Sequence, residues 1–224
     1  MKMKLNNFFG SIRGKVMSKV NVINNIGKDV NVTVSGNLDK IEIIIDLANK
    51  DFKLPNTLKS GDTFKDIDGE AWIFLYKDGL GNACILKKSS LKEMKFGNNN
   101  NYNGCDIDKY LCNTYLPELE RKFGKENIVE HEVDLFSLDG EDDYGAIKRK
   151  VSLLTLDEYR KNKKAIKKHI NKWFWLATPN STPSGCGSDG VQCVSSIGFV
   201  DYGWCSDCRA VRPFLILKDS VFEK

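Results

Sequence analysis

The run Trp173-Phe-Trp-Leu-Ala-Thr-Pro179 constrains this chain more than any other stretch. Trp173, Trp175 and Ala177 alternate with Phe174, Leu176 and Thr178, and no charge interrupts them. Successive strand residues point to opposite faces, so such a strand is apolar on both. It must lie in a sheet covered on both sides, or on one side with a loop layer over the other. Its aromatics are therefore core. A Ser-, Thr-, Pro- and Gly-rich loop follows. Residues 192–197 and 199–202 then read as short strands set off by Gly198 and Gly203, and Arg209-Ala-Val-Arg-Pro213 reads as a turn into a last strand. Residues 173–217 thus form a compact Trp-, Gly- and Cys-rich β module, of a kind that binds rather than catalyses.

Upstream, Phe8, Phe9, Ile12, Val16 and Met17 have helical spacing within residues 6–19, although Gly10 and Gly14 weaken it. Val20–Val22–Asn24, Val30–Val32–Val34 and Ile41–Ile43–Ile45 alternate as strands, with turns at residues 25–27 and 35–37. A Pro55-containing polar stretch at residues 49–60 is the boundary between an N-terminal helix/β unit, 1–50, and a main domain, 58–218. Ala71-Trp-Ile-Phe-Leu-Tyr76 and Ala83-Cys-Ile-Leu86 are strands joined through an Asp-Gly turn. After an asparagine-rich loop, Ile107, Tyr110, Leu111, Tyr115, Leu119 and Phe123 mark a helix, with Asp106 as its cap and Pro117 bending or dividing it. Residues 128–138 are extended. Thr155-Leu-Asp-Glu158 is a capping box opening a second helix, whose later turns carry lysines suited to the negative end of its dipole. No aromatics interleave with those lysines in the sequence, so they read as a solvated face rather than a phosphate-binding stripe.

The chain has 224 residues, 41% apolar, which suits a sizeable core, and its net charge of +4 is mild. No apolar run is long enough to span a bilayer, and residues 1–10 lack a secretory signal's apolar stretch. A cytoplasmic location is expected, where seven cysteines stay reduced. Four of them, Cys186, Cys193, Cys205 and Cys208, fall close together. Cys205-Ser-Asp-Cys208 has the gap that lets two thiolates reach one tetrahedral ion, whereas the Cys186–Cys193 spacing is wider than in zinc ribbons. Three readings stand: a structural Zn2+ on all four thiolates, which would order a Gly/Ser-rich loop; buried free thiols; and a redox pair at Cys205 and Cys208. The first is preferred. His131 or His169 could replace one thiolate.

Val151-Ser-Leu-Leu-Thr-Leu-Asp-Glu-Tyr-Arg160, the Trp173–Pro179 run, the Gly/Ser loop and Ala210-Val-Arg-Pro-Phe-Leu-Ile-Leu217 together resemble a domain family of unknown function common in gut Firmicutes and their phages. Asn103-Gly104 and the Asp139-Gly140 to Asp143-Tyr144-Gly145 turn fit the same pattern, over about residues 58–218. Ala210 stands where the family usually has Gly, and many relatives lack the four-cysteine loop. The terminal motif is similar to the C-type-lectin-like fold of phage variable proteins and of the formylglycine-generating enzyme. The resemblance implies an α+β fold: a small N-terminal unit, then a C-type-lectin-like antiparallel sheet with two helices and a Cys-rich loop region.

Three functions follow as expectations. The first is a non-enzymatic inhibitor of a bacterial defence protein, similar in kind to phage-encoded, zinc-containing anti-CRISPR inhibitors of Cas9. Glu118, Glu120 and the cluster Asp139, Glu141, Asp142 and Asp143 would then face a basic DNA channel. The second is a lectin-like display or adhesion module. The third, catalysis, is disfavoured, since no base stands beside a nucleophile and no phosphate loop is present. Neither membrane insertion nor direct nucleic-acid binding is expected.

Overall fold

A computed structural model describes residues 30–37, 40–47 and 52–223. The chain divides into two units, Met1–Lys50 and Asp51–Lys224. In the first, β1 (Val30–Asn37) and β2 (Lys40–Leu47) pair antiparallel, with Val32 opposite Ile45 and Val34 opposite Ile43. The β-branched alternation that marked both strands is what such a pair needs. Pairing continues through Gly36↔Ile41 and Asn37↔Lys40, so residues 35–37 belong to the strand and not to the expected turn. The expected helix at 6–19, the strand at Val20–Val22–Asn24 and the turn at 25–27 lie outside the described residues.

The second unit is mixed α+β. Its elements run β3 (Thr63–Lys65), β4 (Ala71–Lys77), β5 (Ala83–Lys87), β6 (Glu93–Lys95), α1 (Asp106–Tyr110), a π-helical turn (Leu111–Tyr115), α2 (Leu116–Phe123), β7 (Ile128–Val129), β8 (His131–Asp134), β9 (Ala146–Arg149) and α3 (Leu156–Lys167). They continue with β10 (Phe174–Pro179), β11 (Gly190–Val194), β12 (Val200–Trp204), β13 (Cys208–Ala210) and β14 (Phe214–Leu217). One sheet has the order β12-β11-β10-β13-β6, a second β3-β4-β5-β14-β7, and β8 and β9 form a ribbon. Among these strands every pairing is antiparallel except that of β10 with β13.

The strand β10 is buried along its whole length, as its sequence requires. Phe174 and Leu176 enter one core with Val194, Ile73, Leu86 and, from α3, Tyr159 and Ile166. Trp175 and Ala177 enter another with Cys193, Phe96, Trp72 and, from the other helical segment, Leu111 and Phe123. The two helical layers thus cover opposite faces. Trp173 lies just outside the strand and is 36% exposed, so the first residue of the motif is not core.

The capping box at α3 is formed: Glu158 N–H donates to Thr155 Oγ1 at 3.2 Å, and Thr155 N–H donates to Glu158 Oε2 at 2.8 Å. At α1 the cap is Cys105 rather than Asp106, its Sγ accepting from Asp108 N–H at 3.4 Å. Pro117 sits in the first turn of α2, directly after the π-helical turn at Leu111–Tyr115, so it divides the helical segment as its sequence requires. Phe52 and Leu54 are buried with the second unit, and Leu54 bridges to Phe222.

Candidate functional site

The four clustered cysteines do not share one environment. Cys193, near the end of β11 and opposite Asp201, points into the core beside Trp175. Burial pushes its thiol up to about 11, against the opposing pull of Arg209. Cys205 follows β12 and is also buried; its N–H donates to Asp189 O at 2.8 Å and its carbonyl accepts from Phe96 N–H at 3.0 Å. Cys186 and Cys208 are exposed. Cys208 is in register with Lys95 on the far side of β10, which stands between β11 and β13. Among the described residues, no group of three or more His, Cys, Asp or Glu side chains is placed to hold a metal ion. The two-residue gap of Cys205-Ser-Asp-Cys208 spans a turn in which Asp207 N–H donates to Trp204 O at 2.8 Å, leaving one thiol inside and the other outside.

Neither histidine stands in for a thiolate ligand. His131 Nε2 lies 2.9 Å from Ser152 Oγ, its ring packs edge-on against Phe214, and burial pushes its pKa down to about 4. His169 Nε2 is 3.4 Å from Gly61 O. The acidic residues expected to face a partner are largely engaged within the chain. Glu118 pairs with Lys122 at 2.9 Å and Glu120 with Lys150 at 3.4 Å. Asp139 accepts from Ser137 Oγ at 2.5 Å, and Asp143 accepts from the Ser184 amide and hydroxyl at 3.0 and 2.7 Å.

The 180–189 loop is held by an anchor that sequence reasoning missed. Within the asparagine run, Asn100 is fully buried. Its Nδ2 donates to Ser181 O at 2.7 Å and Gly190 O at 2.9 Å, while its Oδ1 accepts from Tyr144 OH at 2.8 Å. Its neighbours Asn98 and Asn99 are exposed, so composition alone could not single it out.

The surface that stands out lies at the free end of the β10 sheet. Ile197 and Phe199 are each 65% exposed, Tyr202 49%, Trp204 56% and Val200 36%. Gly198, at φ +85°, makes the turn between β11 and β12 in a conformation other residues resist. That turn sits on α3: Tyr159 OH donates to Gly198 O at 2.9 Å, and Lys163 Nζ lies 5.8 Å from the centre of the Phe199 ring. Along β12, Gly203 faces the Trp175 core, where an added Cβ would meet the indole at 3.2 Å. It is therefore a packing glycine within the strand and not the expected break. Val200, Tyr202 and Trp204 project from the other face, the one α3 covers further in at Val194. Tyr202 and Trp204 meet edge-on with ring centres 6.2 Å apart. At the opposite side of the sheet, Arg209 lies over Trp173 at 5.2 Å and over Trp175 at 5.9 Å.

The last strand is entered through Val211-Arg212-Pro213. Arg212 is buried, its Nε donating to Lys87 O at 3.1 Å and its guanidinium lying 4.9 Å from the Phe174 ring centre. Burial pushes its pKa down to about 10. This motif therefore ties one five-stranded sheet to the other.

Residues 80–219, from the β4–β5 turn through Arg212 to just past β14, match the model of the domain of unknown function DUF6273. The chain belongs to that family. The match takes in the buried β10, the 180–189 loop, the exposed β12 and Arg212. No curated protein and no solved structure matches the chain.

Proposed function

We propose that this protein is a non-enzymatic binding module of phage or mobile-element origin. It acts in the cytoplasm on another protein, through the exposed aromatic end of the β10 sheet. One observation carries the reading: Ile197, Phe199, Val200, Tyr202 and Trp204 are 36–65% exposed within a single hairpin. Fully burying one such side chain is worth about 1.5–3 kcal/mol, so leaving several together in water is costly unless a partner covers them. Aromatic anchors of this kind supply most of the energy of typical protein interfaces. The α+β scaffold, read as C-type-lectin-like, serves as the frame that holds the hairpin out.

The specific partner proposed is a bacterial defence protein, with Cas9 as the case to test. Its support is the likeness in kind to phage-encoded inhibitors. Because Glu118, Glu120, Asp139 and Asp143 have partners within the chain, which leaves Glu141 and Asp142 of the expected acidic set, contact would run mainly through the aromatic hairpin and not an acidic imitation of DNA. A target-cleavage assay with excess protein tests this, beside the Tyr202→Ala/Trp204→Ala variant. Inhibition by the wild type that the variant loses supports the reading. Undiminished cleavage with no complex removes that Cas9 as a partner. Saturable glycan binding lost in the same variant would transfer the face to a display or adhesion role.

A structural Zn2+ on Cys186, Cys193, Cys205 and Cys208 is a companion proposal carried by sequence spacing alone. Elemental analysis of the pure protein and of Cys205→Ser tests it. Near-stoichiometric zinc that the variant loses supports the ion, and a metal-free folded wild type removes it.

A further inference from the structure

The backbone of β12 carries an inference that rests on the reading above and names the partner's chemistry. In an antiparallel pair, bonded and non-bonded residue pairs alternate. Ser195 N–H donates to Phe199 O at 2.8 Å and Cys205 N–H to Asp189 O at 2.8 Å. With the register Cys193↔Asp201 and Val191↔Gly203, those pairs are bonded as well. Val200, Tyr202 and Trp204 therefore turn their backbone groups away from β11. Two of these groups are satisfied locally: Tyr202 N–H donates to Asp201 Oδ1 at 2.8 Å, and Trp204 O accepts from Asp207 N–H at 2.8 Å. Among the described residues, the Val200 N–H and carbonyl, the Tyr202 carbonyl and the Trp204 N–H are left over. Among the described residues, no strand pairs with this side of β12. Such an edge is a template for another strand, and it is found here beside exposed aromatic side chains.

Charge selects among extended partners. The Val200 end of the strand abuts α3, where Lys163 lies over Phe199 and Lys167 Cγ is 3.4 Å from the space a Gly198 side chain would fill. Neither Lys163 nor Lys167 is paired with a carboxylate among the described residues. The aromatics that the lysine run lacks in sequence are thus supplied to it by a different segment.

We propose that the β12 edge binds an extended acidic segment of a partner protein as an added strand. The segment pairs with the free backbone groups of Val200, Tyr202 and Trp204. Its alternate apolar side chains cover Tyr202 and Trp204, and its carboxylates meet Lys163 and Lys167. A bound single-stranded nucleic acid would use the lysines and rings but not the backbone edge, so the backbone groups favour a peptide.

The test uses the full chain and two labelled, end-blocked peptides, one alternating Glu with Val and Phe, the other Lys with Val and Phe. The acidic peptide should bind about tenfold or more tightly than the basic one, with the preference shrinking as salt is raised. It should slow hydrogen exchange at the Val200 and Trp204 amides. Lys163→Gln/Lys167→Gln should remove most of the preference while leaving the melting temperature close to that of the wild type. Equal affinity for both peptides, or no added protection of those amides, overturns the proposal. So does protection already complete in the free protein, whether from a second copy or from residues 1–50, and so does an oligonucleotide that displaces the acidic peptide. If Tyr202→Ala/Trp204→Ala abolishes binding to an intact partner while the acidic peptide fails, only the strand-addition inference falls. If that variant leaves partner binding unchanged, the aromatic face itself is set aside.

Discussion

Strands β10 and β12 belong to one sheet, separated only by β11, and both are rich in aromatics. Every residue of β10 is buried, while Gly203 alone is buried in β12. The difference comes from position and not from hydrophobicity. At β10, α3 covers one face and the α1–α2 side covers the other. At β12 the α3 layer ends at the Gly198 turn, so Tyr202 and Trp204 extend beyond it. The same kind of side chain is therefore an element of stability in one strand and an available contact in the next.

Breaking this contrast should be hardest at its centre. Trp175 is 1% exposed, and its indole N–H donates to Met94 O at 3.0 Å. Trp175→Ala should cost about 3–5 kcal/mol in chemical denaturation, enough to unfold a marginal domain. A loss as small as that of an exposed residue would mean that the two sides of the sheet are not distinct.

The interior should also be the acid-sensitive part. The neutral form of His131 is favoured in the fold, with a pKa pushed down to about 4, while the unfolded chain takes up that proton near 6.5. Its stabilisation is complete above pH 6.5 and is lost as the pH falls from 6.5 toward 4, by about 3 kcal/mol. His131→Gln should flatten this fall in stability measured against pH. The β12 edge has no histidine of its own, so peptide binding by folded protein should stay level through about pH 6.5 and weaken only as the peptide's glutamates take up protons, at about pH 4.3.

The contact point between the two regions should give an intermediate effect. Gly203→Ala places a methyl 3.2 Å from the Trp175 indole and should destabilise by about 1–3 kcal/mol through overpacking. Trp204→Ala should move stability least, within about 0.5 kcal/mol, while weakening partner binding. A larger stability loss at Trp204 than at Gly203 would reverse the comparison.

Several features needed only local sequence. The burial of β10 on both faces follows from an uncharged run with no polar side for water. The Thr155–Glu158 box forms because its donors and acceptors are three residues apart on one helical turn. The Val/Ile alternation marks β1 and β2 independently of their pairing. Local spacing placed the α1 cap one residue late: Cys105 rather than Asp106 caps it, its Sγ accepting from Asp108 N–H.

The candidate site shows the same limit. Alternation along residues 199–204 announces two faces but cannot say which one a helix covers. The cysteine spacing suggested a shared site, yet strand order places β10 between Cys193 and Cys208 and leaves two thiols buried and two exposed. The core strand with two apolar faces and the α3 cap are local features, because they depend on neighbours a few residues away. That the lysines of α3 meet Phe199, and that Tyr202 and Trp204 stay uncovered, comes from the packing of the sheet against its helices. Those outcomes depend on contacts between segments far apart in the chain, whose order in space no local pattern encodes.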